Sequence, residues 1–254
     1  MITKLQRIPK ISTRGYYDLT SGRKIKNSSY TIYPKTSFRR LYDTKELVIM
    51  IHGLRNDIAG AQQKFLIAKK RLKQIGYSYP LIGFSYDSNT KGAHLKKSAL
   101  KALRVGQKIA KQNGDNLSKF IIDFKKKSPK TKIRLIGHSL GTEVIMSTIK
   151  KLSHDTKNHN IVESVHFFGS SIPSELIKSK NMKNSFKKIV KSTIKNYYSM
   201  HDEVLQESHE AGWIKNPIGY IGATANLCSK LKQILVNPKS HRFASYAHVL
   251  KSFP

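Results

Sequence analysis

One cysteine, Cys228, is too few for an internal disulfide, and it also excludes a metal site built on several thiolates. That scarcity fits a reducing compartment, and a cytoplasmic protein is the expectation. Long apolar runs are missing as well. The most apolar stretch, Leu47-Val48-Ile49-Met50-Ile51, is about a quarter of the length needed to cross a bilayer. Residues 1–7, followed by Pro9, Lys10 and Arg14, carry positive charge with no apolar block behind it, so no secretory signal is read there. Neither an internal repeat nor a low-complexity linker is visible. Negative charge is the scarcest of all: 15 Asp and Glu stand against 47 Lys and Arg, a formal net charge of +32. Such a charge draws polyanions by counterion release. The lysines are scattered from end to end, however, with no basic tail and no interleaved aromatics, and read chiefly as solvated decoration. Weak, nonspecific binding to polyanions or anionic membranes is the partner expectation that follows.

What is present suits a globular domain. With 254 residues, 39% hydrophobic and 24% charged, the chain can bury roughly three quarters of its unfolded surface. We read one domain, with residues 1–45 supplying N-terminal strands at the edge of a sheet and residues 46–254 the core. Tyr16-Tyr17-Asp18-Leu19 and Tyr30-Thr31-Ile32-Tyr33 are the two predicted N-terminal strands. From residue 46, short apolar runs alternate with helical stretches. Strands are predicted at about 47–51, 80–84, 133–136, 165–168, 193–198 and 233–236. Helices are predicted at about 58–75, 93–127 with a break near Gly114, 140–152 and 243–251. Strands without clean alternation, separated by helices, define an α/β fold: a mostly parallel central sheet with helices on both faces. Right-handed crossovers put every strand's C-terminal end on one edge, where ligands bind.

The residues at that edge carry chemistry. After the 133–136 strand comes Gly137-His138-Ser139-Leu140-Gly141. In a sharp strand-to-helix turn, Gly-x-Ser-x-Gly raises a serine hydroxyl above the sheet, and the glycines leave room for the close passage of strand and helix. The following helix adds unpaired N–H groups near any developing anion. After the 47–51 strand comes His52-Gly53-Leu54-Arg55-Asn56. There the N–H of Leu54 can join that of Leu140 in an oxyanion hole. His52, Gly53, Arg55 and Asp87 are candidate substrate contacts at the same edge, as is Asn56.

A serine needs a base, and the base a carboxylate. In the chain order Ser, acid, His, Asp202 is the expected acid, because it closely follows the strand ending in Tyr197-Tyr198. A metal site in the cluster His201, Asp202, Glu207, His209 and Glu210 is the alternative use of that segment, but it lacks a helical His-x-x-x-His spacing. His241, on a loop after the last strand, is the expected base, and His248, within the terminal helix, the alternative. His138 is expected to pack locally.

These motifs resemble the α/β-hydrolase superfamily, and its esterase and lipase group in particular. The marks are His52-Gly53, Gly137-His138-Ser139-Leu140-Gly141, Tyr198-Ser199-x-x-Asp202-x-Val204-Leu205 and His241. Gly83-Phe84-Ser85-Tyr86-Asp87-Ser88-Asn89 is similar to a set of largely uncharacterised archaeal α/β hydrolases. The resemblance implies an eight-strand-type sheet with the N-terminal strands antiparallel at one edge. It implies hydrolysis of a small-molecule acyl ester by Ser139, His241 and Asp202, with no metal or organic cofactor. Residues 171–190 are the candidate cover for the site. The contrasting reading is a binding protein on a hydrolase scaffold, which would engage nucleic acid or anionic surfaces through the +32 charge.

Overall fold

The structure, a computed structural model, describes residues 8–223 and 227–254. The first seven residues, read above for a leader, lie outside this range.

The run at Leu47 behaves as its composition requires. β3 (Glu46–Ile51) is buried on both faces at the centre of an eight-stranded sheet. Its side chains alternate. Leu47, Ile49 and Ile51 join one hydrophobic core, and Val48 and Met50 join a second on the opposite face. The sheet is completed by β1 (Lys10–Ser12), β2 (Thr31–Tyr33), β4 (Leu81–Ser85), β5 (Lys132–His138), β6 (Ser164–Phe168), β7 (Ile194–Tyr198) and β8 (Leu231–Leu235), in the order β2-β1-β4-β3-β5-β6-β7-β8. Every pairing is parallel except β1 with β2.

Helices cover both faces. α1 (Lys35–Arg39) supplies Phe38 to the first core, which also takes residues of α3 (Ala99–Lys127), α4 (Gly141–Leu152), α5 (Ser174–Lys178) and α6 (Lys180–Ile189). α2 (Ile58–Gln74) and α8 (Phe243–Val249) close the second core with Phe65, Leu72, Phe243 and Tyr246. α7 (Glu203–Glu210) follows β7. Among the described residues no helix is long and apolar enough to cross a membrane.

The architecture is the expected one, with local departures. The strand predicted at Tyr16 does not form. The N–H groups of Gly15, Tyr16 and Tyr17 are taken by the Asp87 carboxylate at 3.0 Å each, which leaves them unavailable to a ladder. The first strand is Lys10–Ser12 instead, and it runs parallel to β4, so only β2 is antiparallel at this edge. α3 shows no break. It passes through Gly114, against which Ser147 and Thr148 of α4 pack closely. The 171–190 segment lays α6 along the flank of α4, with Met182, Phe186 and Ile189 in the core.

Candidate active site

β5 delivers its C-terminal residue, His138, to the sheet edge, and the chain turns at once into α4. Ser139 occupies the turn at φ +52°, a left-handed conformation that L-residues hold only when their surroundings enforce it. Its N–H donates to the Phe168 carbonyl at 3.0 Å, and its carbonyl accepts from Thr142 N–H at 3.0 Å and Thr142 Oγ1 at 2.6 Å. Two glycines around the serine, Gly141 of the motif and Gly53 of the facing loop, are sterically required. A Cβ on Gly141 would stand 2.5 Å from the Ile51 carbonyl oxygen, and one on Gly53 would stand 2.9 Å from Ser139 Cβ. The loop after β3 is therefore packed directly against the serine.

Peptide planarity turns these hydrogen bonds into an orientation. In a trans peptide the C=O and the next N–H point in opposite directions. The Gly53 carbonyl is held by Asn56 Nδ2 and His52 Nδ1, both at 3.0 Å, and Asn56 Nδ2 also reaches the Leu54 carbonyl at 2.8 Å. This directs the Leu54 N–H away from them. The Ser139 carbonyl, held twice by Thr142, directs the Leu140 N–H in the same manner. Neither N–H has a hydrogen-bond partner among the described residues. The side chains of Leu54 and Leu140 pack together against Gly106 of α3, on the core side of the loop. Asn56 and Thr142 thus orient the two amides. Asn56, a candidate substrate contact by sequence, is buried and braces the loop instead.

His241 arrives from the loop between β8 and α8. Its Nε2 lies 2.9 Å from Ser139 Oγ, and its Nδ1 lies 2.7 and 3.0 Å from the two Asp202 oxygens. Asp202 is wholly buried at the N-terminus of α7, where it also accepts from Leu205 N–H at 3.1 Å and from the Tyr246 hydroxyl at 2.6 Å. Burial by itself would raise its pKa. The His241 bond and charge, the Tyr246 hydroxyl and the Leu205 N–H outweigh that and hold the carboxyl below its ordinary range. Because Asp202 accepts, Nδ1 of His241 carries the proton and Nε2 is left as the acceptor for the serine hydroxyl.

Three residues of the site escaped sequence reading. Tyr246 clamps Asp202 from α8. His138 does more than pack: its Nε2 donates to the His241 carbonyl at 2.7 Å and fixes the base's backbone. Arg14, on the segment after β1, donates to the Asn56 and Asp57 carbonyls at 2.9 and 3.0 Å, to His52 Nε2 at 3.1 Å and to Ser85 Oγ at 2.9 Å. The only cue was polarity: a tyrosine on the apolar face of a short helix needs a buried partner.

Other candidates stand elsewhere. His52 is fully buried, stacked on Tyr86 at 4.7 Å, and bonded on both nitrogens, so it is a support of the loop and not a substrate contact. Asp87 is likewise withdrawn from substrate, because both oxygens hold the backbone at residues 15–17. Gly53 lies against Ser139, and Arg55 is exposed at the rim. His248 is exposed on α8 and reaches neither Ser139 nor Asp202. In the cluster weighed as a metal site, Asp202 turns to His241 while His209 Nδ1 accepts from Asn216 N–H at 3.3 Å.

Three buried histidines give the fold a pH signature. Burial pushes His138 down to about 3, aided by His241, and holds His52 and His166 well below the ordinary imidazole value. All three are neutral in the folded protein at neutral pH. The unfolded chain binds their protons near pH 6.5. Their stabilising effect is therefore complete above that value and is lost as pH falls below it, by up to about 1.4 kcal/mol per histidine per pH unit. Urea unfolding should show a clearly lower midpoint at about pH 5 than at about pH 7. An unchanged midpoint would contradict buried neutral imidazoles.

With this geometry in view, the comparisons with known proteins are these. The sequence model of the family described as "Alpha/beta hydrolase of unknown function (DUF900)" matches residues 35–230. No curated protein shows significant sequence similarity to the chain. Among solved structures, a predicted CIB-like hydrolase from Thermoplasma acidophilum aligns at 13% identity and TM-score 0.42, covering 82% of this chain and 85% of that one. A lipase-esterase related protein from Clostridium acetobutylicum aligns at 11% identity and TM-score 0.43, covering 81% and 91%. A Trichoderma reesei cutinase in complex with a phosphonate inhibitor aligns at 16% identity and TM-score 0.36, covering 61% and 66%.

Proposed function

The chain belongs to the DUF900 family of α/β hydrolases, and from that premise we propose that it is a serine hydrolase that cleaves a carboxylic ester, or a related acyl bond, through Ser139, His241 and Asp202. The observation that carries this reading is the continuous line from Ser139 Oγ to His241 Nε2 at 2.9 Å and from His241 Nδ1 to Asp202 at 2.7 Å. Such a line makes a weakly nucleophilic hydroxyl reactive.

The chemistry follows from the atoms. Ser139 Oγ attacks the acyl carbonyl while His241 Nε2 takes its proton. Asp202 fixes the imidazole tautomer and stabilises the cation that forms. The unpaired N–H groups of Leu54 and Leu140 receive the oxyanion, and because their peptide planes are already pinned, little reorganisation accompanies the reaction. His241 then protonates the leaving oxygen, the alcohol departs, and water repeats the sequence on the acyl-enzyme. No step calls on a metal or an organic cofactor.

A fluorophosphonate probe followed by peptide mapping tests the reading. Label is expected on Ser139 alone, together with turnover of short p-nitrophenyl esters. Absence of both would overturn it. The acid has its own test. Asp202→Asn removes the charge and reverses the donor needed at Nδ1, and should slow single-turnover acylation by about ten thousandfold at neutral pH. Glu203→Gln, which alters the next residue outside the line, should change it little. If Asp202→Asn stays within about tenfold of wild type, the carboxylate lies elsewhere.

A further inference from the structure

The stretch Ser85-Tyr86-Asp87-Ser88 begins at the end of β4 and takes no part in the line from Ser139 to Asp202. All four residues serve a neighbouring part of the same edge. The Ser85 carbonyl accepts from Thr13 N–H at 2.9 Å. Tyr86 stacks its ring on His52 and donates its N–H to His52 Nε2 at 3.3 Å. The Asp87 oxygens take the N–H groups of Gly15, Tyr16 and Tyr17. Ser88 Oγ donates to the Asn56 carbonyl at 3.1 Å, and the Ser88 carbonyl accepts from Arg55 N–H at 2.9 Å. The stretch therefore grips two things: the loop after β3, and the backbone on either side of Arg14.

Arg14 joins the two. Its Nε donates to Ser85 Oγ at 2.9 Å, its Nη1 to the Asn56 carbonyl at 2.9 Å, and its Nη2 to the Asp57 carbonyl at 3.0 Å and to His52 Nε2 at 3.1 Å. A guanidinium only donates, so His52 Nε2 is an acceptor there, as it is for Tyr86 N–H. Burial keeps His52 neutral, and its one proton is therefore on Nδ1. From there it is given to the Gly53 carbonyl at 3.0 Å. Asn56 Nδ2 is the second donor to that carbonyl, and Asn56 is itself fastened through its own carbonyl by Arg14 and Ser88. Both groups that hold the Gly53 carbonyl are thus held in turn by Arg14.

The consequence falls on one amide. The Gly53 carbonyl and the Leu54 N–H share a peptide plane, so fixing the first aims the second. We propose that Arg14 is a positioning residue for the oxyanion hole: acting through His52 and Asn56, it sets the direction of the Leu54 N–H. This rests on the serine-hydrolase reading above. The shape of the side chain matters as much as its charge. A guanidinium spreads its donors over three nitrogens in one plane, whereas an ammonium gathers them on a single atom. The four acceptors around Arg14 come from β4, from His52 and from two successive loop carbonyls, and all three nitrogens are used to meet them.

Two variants of the full chain test it. Arg14→Met keeps the length of the stem and removes every donor; Arg14→Lys keeps the charge and loses the fork. Phenyl acetate turnover is measured per Ser139 that takes fluorophosphonate label at completion, so that unfolded molecules are not counted. In Arg14→Met, kcat should fall about ten- to a hundredfold, a part of the two to three orders of magnitude that loss of an oxyanion donor costs. KM should hardly move, as for an interaction made only in the transition state. A trifluoromethyl ketone, whose hemiketal oxygen takes the place of the oxyanion, should bind more weakly by the same factor as kcat/KM. Arg14→Lys should recover only part of the loss, and decides by itself if Arg14→Met does not fold. A role confined to the fold would lower the urea midpoint and the number of labelled sites, with the rate per site and the ketone affinity at wild-type values. That result would overturn the proposal, as would wild-type rates in Arg14→Lys, since the charge alone would then suffice. Wild-type protein separates the two readings. Label and turnover there, with the rate per site unmoved in both variants, defeat the role of Arg14 alone; no label and no turnover there defeat both.

Discussion

Ser139→Ala is expected to lower ester turnover by about a millionfold, the effect of removing a nucleophile whose partners cannot act without it. The hydroxyl is the only atom changed. Its one side-chain hydrogen bond runs to His241 Nε2 at 2.9 Å, and the turn around it is held by the Phe168 carbonyl and Thr142, which the substitution leaves in place. Alanine tolerates φ +52° no better and no worse than serine, since both carry a Cβ. The variant should therefore unfold at the wild-type urea midpoint while losing both turnover and fluorophosphonate label. A residual rate above the uncatalysed reaction is expected from the Leu54 and Leu140 amides, which act on the oxyanion whatever attacks the carbonyl. Wild-type turnover in this variant, or label on another serine, would place the nucleophile elsewhere.

His241→Ala should be about as damaging, again near a millionfold, because the serine hydroxyl without its base is a poor nucleophile and only the residual rate due to the oxyanion hole remains. His248→Ala should stay within roughly tenfold of wild type, the scale of a surface substitution away from the reacting atoms. The contrast rests on position. His241 stands on the loop before α8 and is tied at three points: Nδ1 to Asp202, Nε2 to Ser139, and its carbonyl to His138. His248 faces solvent from the middle of the helix. Single-turnover acylation of both variants decides between them, and a collapse confined to His248→Ala would reverse the assignment.

Local pattern carried the sheet and the three residues of the proposed triad. The apolar runs were long enough to define β3 to β8, and Ser139, Asp202 and His241 could be chosen because each follows a strand in the order the fold requires. What could not be read were the contacts between distant segments that no motif or strand order announces. Asp87 looked like a site residue because it follows a strand, yet its oxygens are spent on amides some seventy positions earlier. Those bonds are also why the aromatic cluster at Tyr16 is not a strand. β1 has a single apolar residue, Ile11, in three, too little to register as a period. His52 resembled a substrate contact because nothing in its neighbourhood of sequence reveals that Arg14 and Tyr86 enclose it.

The fan of bonds from Arg14 bears on where this protein can be cut. Arg14 and the strand before it precede the segment matched by the family, while His241 and Tyr246 follow it. A fragment trimmed to residues 35–230 would retain Ser139 and Asp202, together with most of the central sheet. It would lack the guanidinium that spans the Asn56 and Asp57 carbonyls, the base itself, and the hydroxyl that steadies the acid. The recognisable part of the chain is thus a scaffold that holds two of the three residues of the proposed triad, and a recombinant protein needs both flanks to keep the third and its supports.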